Sequence, residues 1–232
     1  MIKRKYIKEI LLRGLIVSCQ ALEDEPLHDP HIMGKMALAA REGGAVGIRA
    51  NSGADIKAIK REVSLPIIGL KKAVYTGSPV YITPTWDEVR EVAEAGAEII
   101  ALDATDRERP NGATLNALVE QIRLEYPSRF IMADVSTAEE AKQAEELGFD
   151  LIGSTLAGYT EKTKGRALPD LALISTLSKS LKTPILAEGG IWTLEQLEKV
   201  MAAGAYGAVI GTAITRPQEI TKRFCSGLAK YL

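Results

Sequence analysis

The sequence predicts an α/β chain folded as a (β/α)8 TIM barrel, a single domain over residues 1–232 with a short helix ahead of the first strand. Three observations predict it. Short β-branched apolar runs alternate from end to end with stretches of helical spacing, the pattern of βαβ units. There are eight such runs, the number that closes a barrel. A chain of 232 residues, 46% hydrophobic and 25% charged, also suits one buried core and would be cramped as two. An open doubly wound sheet is the alternative, but no G-x-G-x-x-G turn follows the first strand, where a dinucleotide-binding sheet needs it.

The elements follow in order. A helical segment over 6–12 precedes the first strand and is expected to plug the barrel bottom. Strands are expected at 14–20, 45–50, 66–71, 98–103, 130–135, 151–155, 184–188 and 208–211. Helices are expected between them at 32–42, 54–63, 86–95, 115–126, 138–147, 171–181 and 194–203. Gly96, Gly148 and Gly204 each stand after a helix and just before the next strand, where a residue able to take positive φ ends a helix cheaply. Thr85, Ser136 or Thr137, and Thr193 stand at helix starts as N-caps. The run 80–83, behind a turn-rich 75–79, reads as an insertion in the third βα loop, on the side where barrel strands end.

Composition narrows the partner. Lys, Arg, Asp and Glu intermingle to a net charge of -1, so there is no basic field for a nucleic acid or an acidic membrane surface. The basic, then apolar opening is broken by Arg13 and Gly14, which argues against a leader peptide, and no stretch is long and apolar enough to span a membrane. Cys19 and Cys225 read as free thiols, Cys225 in a packing role in the last helix. A cytoplasmic protein with a small-molecule partner, as a homodimer, is the expectation.

In a barrel the chemistry sits where strands end, and here those ends are polar: Gln20, Arg49, Lys71 and Lys72, Asp103, Asp134, Thr155, Glu188 and Gly211. The glycines of Ala187-Glu188-Gly189-Gly190 and the run Gly211-Thr212-Ala213-Ile214-Thr215-Arg216 form a candidate phosphate cup after strands seven and eight. Backbone amides there can approach a phosphate, and a guanidinium can hold two of its oxygens. Lys72 and Glu188 are candidates for proton transfer, with a structural ion pair the competing possibility. Asp134 is expected to meet ligand. Asp103 is expected to be structural, because Arg107 and Arg109 follow it. The loop Glu23, Asp24, Glu25, His28, Asp29, His31 lacks metal-ligand spacing and reads as a solvated turn.

Several segments resemble the N-acylglucosamine-6-phosphate 2-epimerases, also called N-acetylmannosamine-6-phosphate 2-epimerases, over nearly the whole chain. They include Ser18-Cys19-Gln20-Ala21, Gly47-Ile48-Arg49-Ala50, Gly69 with Lys72, Tyr81-Ile82-Thr83-Pro84-Thr85, Gly153-Ser154-Thr155-Leu156-Ala157-Gly158-Tyr159, Ala187-Glu188-Gly189 and Gly211 to Pro217. The resemblance implies epimerisation at C2 of a phosphorylated amino sugar in sialic acid catabolism, with no metal and no organic cofactor. It implies Lys72 and Glu188 as catalytic residues and Gln20, Arg49, Asp134 and Arg216 as ligand contacts, with Gly190, Gly211 and Thr212 around the phosphate. Lys71 departs from the family's usual apolar residue, and strand alternation should send it to the opposite side from Lys72. A Schiff-base aldolase, separable by borohydride trapping, and a barrel that only senses a sugar phosphate are the other readings of the same residues.

Overall fold

Side chains alternate across a strand, so each of the eight runs presents one set of residues to the barrel bore and the other to the surrounding helices. A computed structural model of the chain describes residues 9, 11, 13–228 and 231. The strands are β1 (Leu15–Cys19), β2 (Gly47–Asn51), β3 (Ile67–Leu70), β4 (Ile99–Asp103), β5 (Phe130–Asp134), β6 (Leu151–Gly153), β7 (Ile185–Glu188) and β8 (Gly207–Ile210). All pair in parallel and in sequence order, and β8 returns to β1 through Leu15 opposite Ala208, which closes the barrel.

The helices are α1 (Pro30–Glu42), α2 (Gly53–Glu62), α3 (Trp86–Ala95), α4 (Leu115–Glu125), α5 (Ala138–Glu146), α6 (Leu171–Ser180), α7 (Leu194–Ala202), the short α8 (Thr212–Thr215) and α9 (Pro217–Leu228). Their ends fall within two residues of the positions expected from caps and stops. Thr85, Thr137 and Thr193 each close a capping box with Glu88, Glu140 and Gln196. Gly96, Gly148 and Gly204 all take positive φ at the helix ends.

Ile16, Ile68, Leu70, Ile99, Phe130, Met132, Leu186 and Val209 fill the bore, and a second set of buried residues packs the outer strand faces on the helices. Each such aliphatic side chain contributes about 1.5–3 kcal/mol by leaving water. The helix expected over 6–12 lies mostly outside the described residues. Of it, Glu9 and Leu11 are helical, and Leu11 is fully buried among the bore residues. The segment expected as an extra strand at 80–83 folds back over the mouth. It makes one antiparallel bridge, Ile82 opposite Lys72, and Asp103 N–H donates to Ile82 O at 3.0 Å.

Candidate active site

Continuing the inward register of β3 through Ile68 and Leu70 brings Lys72 over the bore, while Lys71 falls on the other side and pairs with Glu91 at 3.8 Å. The bridge to Ile82 and a hydrogen bond from Lys72 N–H to Asn51 Oδ1, 2.8 Å, fix the backbone at this point. Lys72 lines a cavity of about 420 Å3 at the C-terminal end of the strands, within the span of ordinary small-molecule sites. Gln20, Arg49, Glu188, Gly190, Gly211, Thr212 and Arg216 line the same cavity.

Arg49 is the electrostatic centre of the site, with a side chain only 1% exposed. Its Nη2 donates to Asp134 Oδ2 at 2.6 Å, and its Nη1 donates to Asp134 Oδ1 at 3.0 Å and to Glu188 Oε2 at 2.9 Å. Burial works against its charge, but the charges of Asp134 and Glu188 and the hydrogen bonds it donates to Asp134 outweigh burial, and its pKa is raised. Its Nε is buried without a partner among the described residues.

Asp134 therefore departs from its expected place. It is fully buried, lies off the cavity lining, and both of its oxygens are taken, by Arg49 and by Thr155 Oγ1 at 2.5 Å. Strand alternation aims it inward as expected, but Arg49 lies between it and the space a ligand can enter. It holds the cavity-lining guanidinium of Arg49 in place. Asp103 is the structural residue it was expected to be. Arg107 Nη2 donates to its Oδ2 at 2.6 Å, Thr105 Oγ1 donates to its Oδ1, and Arg109 donates to its main-chain oxygen.

The two candidate proton carriers are shifted towards each other. Burial lowers the pKa of Lys72, with Arg49 and Arg216 acting in the same direction and Glu188 and Glu25 against it. Burial raises the pKa of Glu188, Asp134 adds to the rise, and Arg49, Thr155 and Lys72 oppose it. A lysine that gives up its proton more readily thus shares the cavity with a carboxylic acid that keeps its own longer, a pairing suited to proton transfer. Tyr81, from the folded-back segment, also lines the cavity, and burial pushes its hydroxyl up to about 12, so it stays a neutral donor.

The segments singled out as a candidate cup, around Gly189-Gly190 and Gly211 to Arg216, line the same cavity. Gly189 and Gly190 take positive φ, and a Cβ on Gly190 would lie 2.3 Å from Leu168 Cβ, so only glycine lets the chain pass there. Gly211 precedes α8, whose first amides have no acceptor within the helix. Arg216 is braced by Glu25. Its Nε donates to Oε2 at 3.0 Å and its Nη2 to Oε1 at 2.9 Å, which leaves Nη1 free of that pair. Glu25 thus lines the cavity instead of being solvated with the rest of its loop. In the same loop His28 Nδ1 contacts Ala21 O and Asp29 caps α1. Thr155, one of the polar strand ends, lines the cavity too, as do Ser18, Tyr81 and Trp192, which had no role assigned from sequence. Ser18 shares the inward register of Ile16 on β1, a signal that could have found it, but nothing marked Trp192. Cys225, expected to be packed, is exposed, because α9 has no buried residue.

Residues 33–230 match a family model described as "Putative N-acetylmannosamine-6-phosphate epimerase". A relative from Listeria welshimeri, named "Putative N-acetylmannosamine-6-phosphate 2-epimerase", is 54% identical over 97% of this chain and 96% of its own. One of the same name from Caldanaerobacter subterraneus is 56% identical over 92% and 90%. The solved N-acetylmannosamine-6-phosphate 2-epimerase from Clostridium perfringens superposes with a TM-score of 0.93 at 50% identity, covering 96% of each chain. A thiamine phosphate pyrophosphorylase from Pyrococcus furiosus, at 19% identity and a TM-score of 0.60, shares the fold alone. The chain belongs to the N-acetylmannosamine-6-phosphate epimerase family.

Proposed function

We propose that this enzyme interconverts N-acetylmannosamine 6-phosphate and N-acetylglucosamine 6-phosphate through proton transfer by Lys72 and Glu188, in sialic acid and amino-sugar catabolism. The observation that carries the roles is the pairing of a lysine with lowered pKa and a carboxyl with raised pKa on one cavity that Gly189, Gly190 and Gly211 also line. In the open-chain sugar C2 lies next to the aldehyde carbon, so its C–H is acidic enough to remove. The neutral Lys72 amine takes the C2 proton, the C–H electron pair moves into the C1–C2 bond, and the C1 oxygen takes a proton from Glu188. The steps then reverse, with the proton returned to the other face of C2. Arg49 keeps Glu188 placed, and Gln20 and Arg49 present donors to the sugar.

The phosphate sits against the backbone of Gly190, Gly211 and Thr212, with Arg216 as its cation. Every proton in this scheme is carried by the chain's own side chains, so it calls for neither a metal nor an organic cofactor. We also infer a homodimer. Helix α9 has no buried residue, and Phe224 and Leu228 are 74% and 60% exposed on it, an apolar face suited to a second copy. The two free thiols fit a cytoplasmic enzyme. The test is proton NMR of N-acetylmannosamine 6-phosphate with the protein in D2O and no added cofactor. Conversion with deuterium entering C2 supports the scheme, and an unchanged spectrum refutes it.

A further inference from the structure

One hydroxyl in the cavity wall faces two carboxylates. Thr155 Oγ1 lies 2.5 Å from Asp134 Oδ1 and 3.1 Å from Glu188 Oε2, although a hydroxyl has a single proton to give. Arg49 Nη1 faces the same two oxygens, at 3.0 and 2.9 Å. The four atoms make a ring in which Oε2 accepts from both a guanidinium and a shared hydroxyl. Glu188 Oε1 has no hydrogen-bond partner among the described residues, and the side chain borders the cavity at 15% exposure, so Oε1 is the oxygen left available to a ligand there.

The two oxygens are therefore not equivalent. A proton binds poorly to an oxygen that already accepts from a cation, which leaves Oε1 to carry it. The terminal torsion of a glutamate is broad and nearly two-fold, and a contact from Arg49 alone fixes one oxygen without fixing the carboxyl plane. A second contact does fix it. The chain just after β6 supplies it and clamps the Glu188 backbone as well, since Ser154 Oγ donates to Glu188 O at 2.9 Å and accepts from Glu188 N–H at 3.0 Å.

We propose that Thr155 is a positioning residue for the epimerisation: its hydroxyl, shared between Asp134 and Glu188 Oε2, locks the Glu188 carboxyl so that Oε1 alone delivers the proton in the cavity. The proposal rests on the assignment of Glu188 as an acid–base group made above.

The experiment uses the full chain as wild type, Thr155→Val, Thr155→Ser and Glu188→Gln, each with 13C-carboxyl glutamate. Two quantities are read: kcat and KM for N-acetylmannosamine 6-phosphate, and the titration midpoint of the Glu188 carboxyl resonance, identified by its loss in Glu188→Gln. Thr155→Val should lower kcat about tenfold while KM stays within about twofold, because misaligned groups slow the chemical step more than binding. It should also raise the Glu188 midpoint by about half a unit to one unit, because the ionised carboxyl loses a donor. Thr155→Ser, which keeps the hydroxyl, should restore both. If Thr155→Val does not fold, Thr155→Ala takes its place with the same two readouts. An unmoved midpoint, or a Thr155→Ser enzyme as slow as Thr155→Val, overturns the proposal in favour of methyl packing. Full activity of Glu188→Gln removes the acid–base assignment itself, and that variant alone tells the two failures apart.

Discussion

Replacing Asp134 by Asn deletes a buried charge and keeps the side chain's shape. In the folded protein Asp134 is 0% exposed and holds Arg49, 1% exposed, through contacts of 2.6 and 3.0 Å. Removing one member of a buried ion pair costs about 3–5 kcal/mol, because the other charge is left without its partner in a poorly solvated place. Two features favour the lower end. An Asn oxygen can still accept from Arg49, and Glu188 Oε2 remains 2.9 Å from Nη1. A loss of about 3 kcal/mol in a chain of this length lowers Tm by about 6–12 °C.

The pH dependence of this loss follows from Glu188. Its folded pKa is raised from 4.5 to about 7, chiefly by burial and in part by Asp134. A raised pKa gives stability that is complete below the unfolded value and lost as pH climbs through the folded one. With Asp134 neutral, the Glu188 pKa falls and less is lost. The stability deficit of Asp134→Asn should therefore be greatest near pH 5 and narrow towards pH 8. Calorimetric unfolding of both proteins across that range is the assay. A variant with wild-type Tm and a raised KM would refute the reasoning, since it would mean that Asp134 meets the ligand directly.

Three further outcomes are expected. Lys72→Ala should abolish deuterium uptake at C2, whereas Lys71→Ala, which removes only a 3.8 Å pair with Glu91 on the helix side, should stay within about threefold of wild-type kcat. Gly190→Ala must push its Cβ against Leu168 from a residue at positive φ, so it should lose about 2 kcal/mol or more in urea unfolding and bind the sugar phosphate more weakly. Phe224→Asp on α9 should move the protein from dimer to monomer by light scattering, and an unchanged mass would reject α9 as the contact face.

Most of the fold was legible because local chemistry sets the element boundaries. Thr85, Thr137 and Thr193 start helices by satisfying orphan amides, and Gly96, Gly148 and Gly204 end them, so ends fell within two residues of the observed ones. Alternation along β3 also sorted Lys72 from Lys71. Depth was not legible. Nothing in Met132-Ala133-Asp134 says that an arginine from β2 fills the layer above it. Glu25 could not be told from its acidic neighbours, because its pairing with Arg216 spans 191 positions of sequence. The exposure of Cys225 was hidden for a related reason, since amphipathic spacing in α9 predicts an apolar face without saying what covers it.

The Arg49 arrangement also bears on how the barrel can be divided. The cation comes from β2, in the first four strands, while both of its anions, Asp134 and Glu188, come from β5 and β7 in the last four. Neither half-barrel is electrically complete without the other. Cut between β4 and β5, the chain would yield one fragment with an unneutralised guanidinium and one with two crowded carboxylates. The same contacts that organise the chemistry would then give the two pieces a reason to reassemble in only one way.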